Sequence, residues 1–114
     1  MSTTSTASAT HPDFQQTLKD FRDEFAQQVP RRVAEARECL QACCSDPGND
    51  ALVREFYRSV HKIAGSAGTF GMTRLGDQAR AIEMQIETLL AQGQRSAGDF
   101  EALVPGVEAL APAA

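Results

Sequence analysis

Between Phe14 and Cys43 the apolar residues Phe14, Leu18, Phe21, Phe25, Val29, Val33, Ala36, Leu40 and Cys43 follow one another at intervals of three or four without a slip. An α-helix has 3.6 residues per turn, so these positions share one face, and the run is about eight turns long. A stripe of that length needs other long helices to cover it. Pro30 falls inside the run. A proline there removes a backbone hydrogen bond and crowds the preceding turn, yet the stripe keeps its phase, so one kinked continuous helix is favoured over two separate ones.

The remaining chain repeats the same period. Asp46-Pro47-Gly48-Asn49-Asp50 reads as a turn, with Asn49 or Asp50 as the cap of a second helix. In that helix Leu52, Val53, Phe56, Val60, Ile63 and Ala67 mark the buried side. A glycine-containing break at Thr69 to Met72 follows, and Thr73 is the expected cap of a third helix, whose stripe is Leu75, Ala79, Ile82, Ile86 and Leu89. Gln92-Gly93-Gln94 ends it. Phe100, Leu103, Val104, Val107 and Leu110 suggest a last helix despite Pro105 and Gly106. No segment alternates with a period of two, so the expected fold is all-α: an antiparallel up-down four-helix bundle with a long, kinked first helix. Residues 1–12 are small and polar and are expected to be disordered, 13–111 to form the bundle, and 112–114 to be a tail.

With 114 residues, 42% of them hydrophobic, the chain can close one core. It has neither a run of about 20 apolar residues nor a basic segment followed by an apolar one at the start, which points to a cytoplasmic protein with no membrane partner. The three cysteines, Cys39, Cys43 and Cys44, are an odd, closely spaced set, unlike a disulfide framework, and are expected to be reduced and partly buried. Cys39 and Cys43 stand one turn apart, but no further ligand is near them, so no metal site is assigned. A net charge of -4 argues against a general nucleic-acid binder.

The residue that chemistry singles out is His61, just off the apolar stripe of the second helix. Side chains on a helix lean toward its N-terminus, so the positions able to shade His61 are Ala64, Gly65 and Gly68. Each interior glycine costs about 1 kcal/mol relative to alanine. Two of them beside one histidine indicate that something large approaches the imidazole. Neutral imidazole is a competent nucleophile near neutral pH and accepts a phosphoryl group. Arg54 and Arg58 lie on the same face, N-terminal to His61, where guanidinium groups hold phosphate oxygens or an acidic partner surface.

The stretch His61-Lys62-Ile63-Ala64-Gly65-Ser66-Ala67-Gly68-Thr69-Phe70-Gly71 resembles the signature of histidine-containing phosphotransfer (HPt) domains, H-x-L-K-G-x-x-x-x-x-G. His61, Gly65 and Gly71 stand at the family spacing, Ile63 replaces Leu, and Arg74-Leu75 continues the pattern. The resemblance implies that His61 takes a phosphoryl group from the aspartyl phosphate of a response-regulator receiver domain and passes it to another receiver. It also implies a hybrid sensor histidine kinase as partner, no kinase activity of the chain's own and a monomeric state. No cofactor is implied on this chain; Mg²⁺ is expected in the partner receiver domain. The family lysine is Ala64 here; Lys62 points about 100° away around the helix, which makes Arg58 the expected substitute cation. The main alternative is a helical binding module of the same fold that sequesters a receiver or another signalling partner without being phosphorylated. A nucleotide-binding loop at Gly65 to Gly76 lacks a preceding strand and the Gly-Lys-Ser/Thr ending, and a hydrolase with His61 as general base lacks a placed nucleophile.

Overall fold

The computed structural model describes residues 2–111, with side chains from Asp13 onward. Five helices follow in order: α1 (Ser2–Ser45), α2 (Asp50–Thr69), α3 (Thr73–Ala91), α4 (Ala97–Glu101) and α5 (Val104–Glu108). α1 packs on α2, α4 and α5, α2 packs on α3, and α3 packs on α5. The ring of four helical positions is closed, with α4 and α5 together occupying the fourth. Among the described residues there is no strand. Neighbouring helices run antiparallel: Tyr57 and His61 of α2 meet Glu87 and Glu83 of α3, while Arg37 of α1 meets Glu108 of α5.

The expected bundle is present, with three differences in its elements. α1 is one continuous helix through Pro30. Its 44 residues measure about 66 Å at 1.5 Å per residue, close to the 68 Å longest extent of the molecule, so no sharp bend occurs. The helix also runs through residues 2–12, where composition suggested no order; extending a formed helix costs little per residue. The side chains of that segment, and the tail at 112–114, lie outside the described residues. Finally, the last helix is split. Pro105 has no N–H to donate and fits only a first helical turn, so α4 stops at Glu101 and α5 restarts at Val104.

The apolar stripe of α1 outruns its cover. α2 and α3 are 20 and 19 residues long, each less than half the 44 of α1, so they cannot cover its whole stripe. Burial therefore begins at Phe25, and Phe14, Leu18 and Phe21 stay 62%, 44% and 50% exposed. From Phe25 onward the stripe joins Val53, Phe56, Val60, Ile63, Leu75, Ile82, Ile86, Phe100 and Val107 in one core. Asn49 caps α2 as expected, its side chain accepting from Ala51 N at 3.0 Å and Leu52 N at 3.4 Å. Thr73 does not cap α3: it is already the first helical residue, and Met72 holds the cap position. At the far end of the bundle Arg95, with a 4% exposed side chain, donates to Pro47 O at 2.8 Å and Leu89 O at 3.2 Å and pairs with Asp50. It ties the two loops at that end together.

Candidate functional site

His61 lies in the middle of α2, away from every loop, and its side chain is 63% exposed. Three features of the sequence put it there. The stripe Phe56-Val60-Ile63-Ala67 turns the neighbouring face inward, leaving position 61 at the edge. Gly65 leaves the next turn bare: a Cβ added there would meet nothing within 4 Å. This glycine serves neither helix stability nor packing, and the turn beside the ring is open. Gly71, at φ +72°, then ends the helix and lets the chain reverse toward α3, since only glycine adopts that conformation without strain.

The reversal brings α3 alongside and supplies a partner that the sequence reading missed. Glu83 Oε2 lies 3.1 Å from His61 Nδ1, and the Glu83 side chain is only 13% exposed. A carboxylate accepts, so Nδ1 carries a proton, and in the neutral form of the ring the lone pair is therefore on Nε2. Tyr57, one turn before His61, stacks on the imidazole with centroids 5.7 Å apart and planes inclined by 13°. Its hydroxyl donates to Glu87 Oε2 at 3.4 Å. Burial, then the carboxylates of Glu83 and Glu87, push the Tyr57 phenol up, so it stays protonated as a donor. The ring is thus held at one edge and one face, and the edge bearing Nε2 is left open.

Both missed residues had a signal. Tyr57 is four positions before His61, the spacing of stacked neighbours on a helix. Glu83 stands 11 residues after Met72 and His61 11 before it; counting equal steps from the turn between two antiparallel helices places them opposite.

The other sequence-derived positions separate into groups. Lys62 borders the same shallow recess as His61 and Gly65, together with Arg32 of α1. Arg58 faces the neighbouring groove and donates to Glu55 Oε1 at 3.3 Å, away from the recess. Arg54 is exposed. Ala64 is 3% exposed. Its carbonyl lies 4.0 Å from where a Cβ on Gly76 would sit, because Gly76 lets α3 press against α2 there. It belongs to the core and not to the surface over His61. Gly68 lies beneath the guanidinium of Arg80, whose Nη2 is 3.7 Å from its Cβ position. Cys39, Cys43 and Cys44 are free thiols, the middle one fully buried. Among the described residues no cluster of three or more His, Cys, Asp or Glu is arranged to hold a metal, and no helix is long and apolar enough to cross a membrane.

The fold thus presents an exposed histidine in mid-helix, its Nδ1 held by a carboxylate across an antiparallel helix pair. The Hpt domain family model matches residues 15–112, and the chain belongs to that family. It is 29% identical over 66 residues to the chemotaxis protein CheA of Halobacterium salinarum, a match covering 58% of this chain and 10% of that protein. No solved structure gives a significant match.

Proposed function

We propose that the chain is a phosphorelay intermediate that takes a phosphoryl group onto His61 Nε2 from a receiver-domain aspartyl phosphate and passes it to another receiver. The observation that carries the reading is the His61–Glu83 contact beside a bare Gly65. Nε2 attacks the phosphorus in line, the P–O bond to the aspartate breaks, and the free carboxylate leaves with the receiver. The ring becomes positively charged while Nδ1 keeps its proton, and the Glu83 carboxylate lies against that charge as it develops. Return of the group to a second receiver runs the same steps backward. Positioning supplies most of the catalysis in phosphoryl transfer, so an open helical site suffices, with Mg²⁺ brought by the receiver.

On this reading the chain has no kinase activity of its own and works as a cytoplasmic monomer downstream of a hybrid sensor histidine kinase. Its likeness to a segment of a chemotaxis protein supports a sensory pathway. Incubation with a panel of phosphorylated receiver domains tests the proposal. Acid-labile, base-stable phosphate should appear on the wild-type chain and be absent from His61→Gln. A receiver that binds tightly while no phosphate is ever found on the chain would make it a sequestering module instead.

A further inference from the structure

We propose that Arg32 of α1 and Lys62 of α2 form the seat for the phosphoryl group on His61, an inference that rests on the phosphohistidine reading above. Glu83 holds Nδ1 from the α3 side, so Nε2, on the opposite edge of the ring, turns toward the recess on the α1 side. That recess is bordered by Arg32, Lys62, Gly65, Ser66 and Phe70.

Arg32 is held in place without an ion pair, although Glu35 borders the groove that it shares with Lys62. Its Nη2 donates to Gln28 Oε1 at 3.1 Å, and its Cζ sits 6.0 Å from the centroid of the Phe25 ring. Its Nε is shut off from solvent with no hydrogen-bond partner. Arg31, Arg37, Arg58 and Arg95 each pair with a carboxylate, whereas neither Arg32 nor Lys62 forms an ion pair among the described residues. The remaining arginines without a carboxylate, Arg22, Arg54, Arg74 and Arg80, are exposed. A half-buried cation with an orphaned donor is an unfavourable state for the free protein, and an anion arriving in the recess relieves it. The phosphoryl dianion on Nε2 is such an anion, and a planar guanidinium with a mobile ammonium suits its oxygens. No cation can reach it from position 64, which the close approach of Gly76 seals into the core.

The test uses the full chain and phosphoramidate, a small donor whose P–N bond breaks as Nε2 bonds to phosphorus and ammonia departs. The pKa of the phosphoryl group is then followed by phosphorus NMR. Cations nearby hold that pKa down, so in Arg32→Gln and in Lys62→Gln it should rise by about half a unit or more. Labelling should slow roughly threefold to tenfold, with partial recovery in Arg32→Lys and no change in the exposed control Arg31→Gln. A His61 phosphate whose pKa and rate of formation are unaltered in both Arg32→Gln and Lys62→Gln overturns the seat and leaves the phosphotransfer reading standing. So does a larger shift from Arg58→Gln than from either. Absence of label on His61 in the unsubstituted protein removes the phosphotransfer reading itself, and the seat with it.

Discussion

His61 depends for its tautomer on a carboxylate 22 residues away. Without Glu83 the proton is free to move between the two ring nitrogens, and the fraction of imidazole with a lone pair at Nε2 falls. Glu83→Ala should therefore slow phosphoryl uptake roughly ten- to a hundredfold, the usual cost of losing an orienting partner. Nitrogen NMR of the ring should record the mixed tautomers, and unchanged uptake would show that the contact is incidental. Gly65 is the complementary case, because its open surroundings separate function from stability. Gly65→Gln places a better helix former on an exposed turn and should raise stability by up to about 1 kcal/mol. The same side chain leans back over the imidazole, so receiver-dependent transfer should drop sharply. A mutant that melts early, or one that transfers normally, would contradict that role. His61 and Gly65 were legible in the sequence because both lie on one helix, where spacing alone fixes which residues are neighbours. Arg32 was not legible, since it reaches the recess from α1 and nothing local records the register of α1 against α2. The proposed seat turns on the same gap: spacing along α2 favours Arg58 over Lys62, whereas the contact that orients the ring comes from Glu83 on another helix.

At the scale of elements, the seam between α2 and α3 decides how closely Glu83 approaches His61. Gly76 is the close contact, where an added Cβ would lie 3.6 Å from Ala67 Cβ and 3.9 Å from Gly68 N. One methyl group fits at those distances and a larger side chain does not. Gly76→Ala should be tolerated, whereas Gly76→Leu should cost about 1–3 kcal/mol by overpacking and also slow phosphoryl uptake, because α3 is pushed outward together with Glu83. Denaturant melts and labelling rates on the two variants check both halves; a Leu variant as stable as the parent would mean the seam is loose. The stripes of α2 and α3 were plain in the sequence because hydrophobic period and helix length agree in both. The stripe of α1 was plain as a helix and misleading as a core, because a period cannot say where the partner helices stop. The fourth position was legible only as apolar residues around Pro105 and Gly106, and the proline divides it.

For the whole molecule, burial of thiols inside the bundle makes stability depend on alkaline pH. Burial, with smaller contributions from Cys39 and Cys44, pushes Cys43 from 9.0 up to about 11. Cys39, Cys44 and Tyr57 are raised as well. The unfolded chain releases the Cys43 proton near pH 9, while the folded chain keeps it until about pH 11. Stability from this group is thus complete below pH 9 and falls as the pH climbs to 11. The melting temperature should decline over that interval, and less steeply in Cys43→Ala; a flat or rising profile would contradict the burial argument.

The phosphorelay reading centres on one nitrogen atom. The most direct measurement is phosphorus–nitrogen correlation NMR on ¹⁵N-histidine-labelled protein, phosphorylated by a receiver or by phosphoramidate. The account predicts a single bond from phosphorus to His61 Nε2, with the Nδ1 proton retained and hydrogen-bonded to Glu83. Phosphorus on Nδ1 of His61, or on His11, would contradict it.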